Sequence, residues 1–158
     1  MLPRTLLVAA RAFDELDERL SAQRVAAAVA RGLADGGWQA DLCPLEDSAQ
    51  RGDAAMGVDG GFVAEVRGLL DALDFDARMR DARALIVCER SLHEDTLAGS
   101  VAFEIATRAR QTGVPAYAVT AENRLDSFDT RILDLQAIVE AASVRSLRTA
   151  GRKLAGLV

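Results

Sequence analysis

The residues of this chain whose types suit chemistry crowd into Ala84–Gly99, ALIVCERSLHEDTLAG. An apolar run, Ala84–Val87, breaks there into Glu89, Arg90, Ser91, His93, Glu94 and Asp95, and His93 is the chain's single histidine. Histidine and carboxylates are the usual proton carriers of acid–base catalysis, which makes Glu89, His93 and Asp95 the catalytic candidates. Carboxylates also hold Mg²⁺ or Ca²⁺ through oxygen, so Glu89 and Asp95, with Asp47 from a separate stretch, are the metal candidates. Ser91 lacks the GxSxG setting that exposes a nucleophile on a sharp turn. Just beyond, Val101, Ile105 and Ala109 recur four residues apart. The stretch reads as strand, loop, helix, and in a parallel sheet such a loop lies on the ligand-binding edge.

The rest of the chain supplies the elements that must hold this loop. Thr5–Ala9 reads as a short apolar strand, followed by a polar loop over Arg11–Arg19. Ser21 is a helix N-cap, with Val25, Val29 and Leu33 on one face and Gly36-Gly37 as the stop. Gln39–Cys43 is a second strand, ended by Pro44, and the crossover between the two is right-handed. Ser48–Gly61 lacks periodicity and is rich in Gly, Ala and Asp, a flexible seam. Phe62, Val66, Leu69, Leu70 and Leu73 mark an amphipathic helix, and Phe75–Arg80 adds a short helical turn. Ala116–Thr120 and Gln136–Val139 are the remaining strands, with a short helix over Ser127–Leu133 between them. The last helix, from Ser143, turns Leu147, Ala150, Leu154 and Leu157 inward and Arg145, Arg148 and Arg152 outward. Strands alternating with helices predict an α/β fold: one Rossmann-like three-layer domain over 1–158, five parallel strands in order 2-1-3-4-5, helices on both faces.

In that sheet the loops after the strands share one rim. It is acidic, with Asp14, Glu15, Asp17, Glu18, Glu46, Asp47, Glu89, Glu94, Asp95, Glu122 and Asp126, and is relieved by Arg11, Arg90 and Arg124. Arg11, Asp14, Glu89, Arg90, Ser91 and Arg124 are the ligand-binding candidates. Carboxylates at helix N-termini repel phosphate, and neither GxxxxGK[ST] nor GxGxxG follows any strand, so a nucleotide site of standard design is absent. Cys43 and Cys88 read as small buried hydrophobes, about two strand spacings (~10 Å) apart and too distant for a disulfide.

The totals narrow the classes. The chain has 158 residues, half of them apolar, and a formal net charge of −5, which argues against a nucleic-acid partner. Lys153 is the only lysine. No run approaches the ~18 apolar residues of a membrane span, so no membrane partner is expected. Arg11, Asp14 and Glu15 stand where a signal peptide would carry small neutral residues, which predicts a cytoplasmic protein.

Several stretches resemble the bacterial glycerate kinases that open with a PDSFKGSLSA-like sequence. LLVAARAF through Leu20-Ser21-Ala22 resembles that opening, and VAAAVARGL its helix. Pro44-Leu45-Glu46-Asp47 resembles the start of the family's PLADGGEGT, and Leu85–Gly99 its TGEGRLDxQTLxGK. Thr112–Thr120 resembles the helix end and strand that follow, and Leu147–Leu157 the last helix. The resemblance implies that this chain is the family's first domain, with the second domain inserted near 48–61 and missing here. In the central motif Glu89, Leu92, Thr96, Leu97 and Gly99 match, which adds Thr96 to the ligand-binding candidates. Arg90 and Ser91 stand for Gly and Arg, His93 for Asp, Asp95 for Gln and Ser100 for Lys. The lysine of the opening motif is replaced by Asp14-Glu15.

The packing frame is thus retained and the polar machinery changed. The resulting expectation is a non-catalytic glycerate kinase-like domain that binds a small molecule or a protein partner, with no cofactor. One alternative is an active kinase of a glycerate-type hydroxy acid, using ATP and Mg²⁺, Arg11, Arg90 or Arg124 as clamps, and a second chain in a homodimer to complete the cleft. Another is a regulatory or structural subunit that dimerises through a sheet edge or the helices of 62–80.

Overall fold

The computed structural model describes residues 4–14, 16, 18–45, 60–94 and 100–158. Within them the elements are β1 (Thr5–Ala10), α1 (Ala22–Asp35), β2 (Gln39–Pro44), α2 (Gly60–Ala72), α3 (Phe75–Arg80), β3 (Ala84–Leu92), α4 (Val101–Thr112), β4 (Ala116–Asn123), α5 (Ser127–Leu133), β5 (Leu135–Glu140) and α6 (Val144–Leu157). The strands form one parallel sheet in order β2-β1-β3-β4-β5, as the sequence predicts. This is the flavodoxin-like order of doubly wound sheets, and it places the carboxyl ends of all five strands on one rim.

β1 is an unbroken apolar run because both of its faces are buried. Leu6, Val8 and Ala10 meet Ile86 and Val119 of the sheet, Val25, Val29 and Leu33 of α1, and Leu147 and Leu154 of α6. Leu7 and Ala9 point the other way, to Leu85 and Val87 of β3, Val66 and Leu70 of α2, Phe75 and Met79 of α3, and Ile105 of α4. Each fully buried side chain of this kind contributes about 1.5–3 kcal/mol. The inward stripe of the 62–80 helices is therefore spent on the core at Val66, Leu70, Phe75 and Met79.

Helices α1 and α6 cross so closely that two glycines are required. A Cβ on Gly32 would strike the Arg148 carbonyl oxygen, and one on Gly151 the Val29 carbonyl oxygen. The crossing is held at its far end by Trp38, whose Nε1 donates to the Ala155 carbonyl at 3.1 Å. Asp35 accepts from Arg148 at 3.0 and 3.1 Å and from Arg152 at 2.8 Å. Ser21 caps α1 as expected, accepting from the Arg24 amide at 3.2 Å.

Three sequence expectations are corrected here. β3 continues to Leu92 and β4 to Asn123, past the apolar ends at Val87 and Thr120, because the two backbones go on pairing at Glu89↔Thr120, Ser91↔Glu122 and Leu92↔Asn123. Glu89, Arg90 and Ser91 are therefore strand residues rather than loop residues. Leu157, expected to face inward, is half exposed on the last turn of α6. Within the 48–61 seam, Gly60 and Gly61 open α2, and 48–59 lie outside the described residues. Cys43 and Cys88 are buried and free, flank β1, and belong to opposite core layers. No helix among the described residues is long and apolar enough to cross a membrane.

Candidate functional site

The rim is assembled from the ends of β1, β3 and β4. Ala9 and Val87 belong to one core layer, so two residues further on, Arg11 and Glu89 emerge on the same face. The Arg11 amide donates to the Cys88 carbonyl at 3.0 Å, which carries the β1–β3 pairing one residue beyond β1. The side chains then meet: Arg11 Nη1 lies 3.4 Å from Glu89 Oε1, and both are largely buried. Burial pushes the Glu89 carboxyl above the ordinary carboxylate range, and the charges of Arg11 and then Arg90 offset this only in part.

Beside Glu89, across the sheet, stands Thr120, a polar side chain with no exposed surface. Its hydroxyl lies within donating distance of the Arg90 carbonyl at 3.1 Å and the Glu122 carbonyl at 3.2 Å, and it accepts from the Glu122 amide at 3.4 Å. The Thr120 carbonyl accepts from the Ala141 amide at 2.9 Å, tying in the loop after β5. Arg124 donates its amide to the Leu92 carbonyl at 2.7 Å, so the β3–β4 pairing is closed at its last residue. Thr120 thus stitches the three strand ends. Its only mark in the sequence is a lone hydroxyl at the end of AYAVT.

The remaining charges form a second group at the tip of this ladder. Arg90 Nη2 lies 3.3 Å from Ser91 Oγ, and Arg90 Nη1 lies 4.0 Å from Glu122 Oε2. The other Glu122 oxygen pairs with Arg124. Of the candidates named from sequence, Arg11 therefore meets Glu89, while Arg90 meets Ser91 and shares Glu122 with Arg124. Asp14 does not join them: it lies 2.7 Å from Arg19 Nε, inside a loop closed by the Phe13–Leu20 bridge. His93 follows β3 directly and is half-buried. Asp47, Asp95 and Thr96 lie outside the described residues.

As a Mg²⁺ or ATP–Mg²⁺ site the described rim does not fit. Glu89 faces Arg11 and Glu122 faces Arg124, so a cation would have to displace a guanidinium from each carboxylate. Among the described residues no group of three His, Cys, Asp or Glu side chains converges. What the rim can do is present alternating donors and acceptors from arginine, carboxylate and serine on a rigid strand end.

Fold and rim define the class: a parallel, doubly wound α/β domain with a charge-paired carboxyl edge. The chain belongs to the glycerate kinase family, whose profile, described as "Glycerate kinase family", matches residues 51–155, about two-thirds of the sequence. That span includes Leu85–Gly99, Thr112–Thr120 and most of the last helix. It leaves out LLVAARAF and Pro44–Asp47, where the likeness to the family's opening motifs was expected. No curated protein matches the chain. Among solved structures, the chain is similar to a diflavin flavoprotein A3 from Nostoc sp., with 12% identity, a TM-score of 0.49, and coverage of 99% of this chain and 94% of that one.

Proposed function

We propose that this glycerate kinase family domain is non-catalytic and binds a small polar ligand at the rim formed by Arg11, Glu89, Arg90, Ser91 and Arg124. The observation that supports this reading is the pairing of all three rim arginines with carboxylates: Arg11 with Glu89, Arg90 and Arg124 with Glu122. Phosphoryl transfer depends on positive charge gathered around the transferring group. Here a phosphate would have to compete with Glu89 and Glu122 for every guanidinium, and the chain's one lysine, Lys153, is carried by α6 and not by any of the three strand ends that form this rim. A balanced rim suits a ligand with hydroxyls as well as charge, since Glu89 accepts where Arg11 donates. A hydroxy acid of the glycerate type has that combination. On this reading the family's second domain would enter within 48–61, and the cleft has one wall.

The test is thermal unfolding of the full chain with glycerate, ATP or ADP, each with and without Mg²⁺. A ligand at a hundredfold excess over its Kd adds about 2.7 kcal/mol of stability. The expected result is stabilisation by glycerate that Arg11→Gln abolishes, no shift with nucleotides, and no phosphoglycerate formed. Phosphorylation of glycerate by the chain alone would end the proposal, as would the absence of any shift with glycerate.

A further inference from the structure

A concave surface lies at the β5 edge of the sheet, between the carboxyl end of β5 and the outer flank of α6. It is a cavity of about 290 Å³. We propose that it is a binding site for a small organic monoanion with an apolar body, a short-chain carboxylate. Val139 and Ala150 form an apolar floor continuous with the core. Over that floor Arg145, Thr149 and Lys153 stand four residues apart on one stripe of α6. The outer two are about 12 Å apart at Cα, at 1.5 Å rise per residue. Both side chains are long enough to converge above Thr149.

Among the described residues neither cation is engaged elsewhere. Arg148 and Arg152, one step round the same helix, are both held by Asp35, whereas no carboxylate among the described residues pairs with Arg145 or Lys153. The hydroxyls at the mouth are already committed. Ser146 Oγ donates to the Ser143 carbonyl at 3.1 Å, and Ser143 Oγ donates to Ser146 Oγ at 2.9 Å. Thr149 Oγ1 donates to the Arg145 carbonyl at 3.1 Å. The donors left for a ligand are the two cations.

Two features set the ligand class. A bare inorganic anion would leave the apolar floor in contact with water, so an aliphatic body adds binding where phosphate adds none. Glu140 also lines the cavity, its Oε2 accepting from the Asn123 amide at 3.3 Å. That nearby negative charge penalises a dianion more than a monoanion. The groove shares no lining residue with the proposed rim site.

The experiment is an amide-resolved NMR titration of the ¹⁵N-labelled full chain with hexanoate, inorganic phosphate and hexanol. Hexanoate is expected to shift the amides of Val139 and Thr149 saturably, phosphate to bind there about tenfold more weakly or worse, and hexanol not to saturate. The double variant Arg145→Gln/Lys153→Gln, at two exposed positions, should weaken hexanoate about tenfold while leaving the rest of the spectrum in place. No saturable shift with hexanoate, phosphate or hexanol binding as tightly as hexanoate, or unchanged hexanoate binding by the double variant, would each overturn the proposal. A rim that binds nothing leaves these outcomes unaffected, and the reverse holds equally.

Discussion

Two carboxylates in this molecule sit against arginines and titrate in opposite directions. Asp35, at the end of α1, receives two hydrogen bonds from Arg148 and one from Arg152, at 2.8–3.1 Å, and these hold its carboxyl down to about 2. Glu89, at the end of β3, has one contact of 3.4 Å with Arg11, and burial wins over it, so the carboxyl is pushed up. Proximity to a guanidinium does not decide the matter. Bond number, bond length and access to water do. The α1–α6 cluster is a lock closed in the folded state. The rim pair keeps a carboxylate in a place that penalises its charge, an arrangement that clusters at binding and catalytic sites.

The contrast can be broken most forcefully at the crossing that carries the lock. In Gly151→Ala the new methyl meets the Val29 carbonyl, so α1 and α6 must separate. We expect a loss of about 3 kcal/mol, read as a lower urea midpoint by Trp38 fluorescence. An unchanged midpoint would contradict the close packing.

The rim pair is next. Arg11→Leu removes the larger of the two charges that compensate Glu89, and should cost about 2 kcal/mol at neutral pH, less than for a fully buried pair. Because Glu89 is raised, the folded chain holds its proton where the unfolded chain has lost it. Ionisation of Glu89 therefore subtracts stability as pH rises through and beyond the ordinary carboxylate range. The cost of Arg11→Leu should shrink on acidification, and Glu89→Gln should match or exceed the parent at neutral pH. Chemical denaturation of both variants across pH checks this, and a clear loss in Glu89→Gln would show that the pair stabilises instead.

The smallest effect belongs to Asp35→Asn. Asp35 is depressed from 3.8 to about 2, so its contribution is present above its unfolded value and is lost as pH falls from about 4 to about 2. Thermal midpoints should fall less steeply in the variant over that window. At neutral pH the variant should be modestly less stable than the parent, by the small contribution of an exposed ion pair. Equal slopes would remove the distinction between lock and rim.

Much of this architecture is legible from patterning alone. The runs at Thr5–Ala9, Ala84–Val87 and Ala116–Thr120 announce strands buried on both faces, and Ser21 announces a helix start. The alternation of elements leads to the observed strand order. The ends of β3 and β4 are not legible in this way, because Glu89–Leu92 look like loop by side chain while their backbones continue to pair. Arg11 and Glu89 follow from the topology as neighbours on the rim. The departure of Asp14 to Arg19 does not, since any of several nearby arginines satisfies the same pattern.

The sequence by itself determined the layers and the strand order, because hydrophobic periodicity reports which face of each element leaves water. Only the tertiary structure decided which charges meet, that Thr120 stitches three strand ends, and that Gly32 and Gly151 let two helices touch. Those outcomes turn on ångström separations between segments far apart in the chain. No local period encodes them.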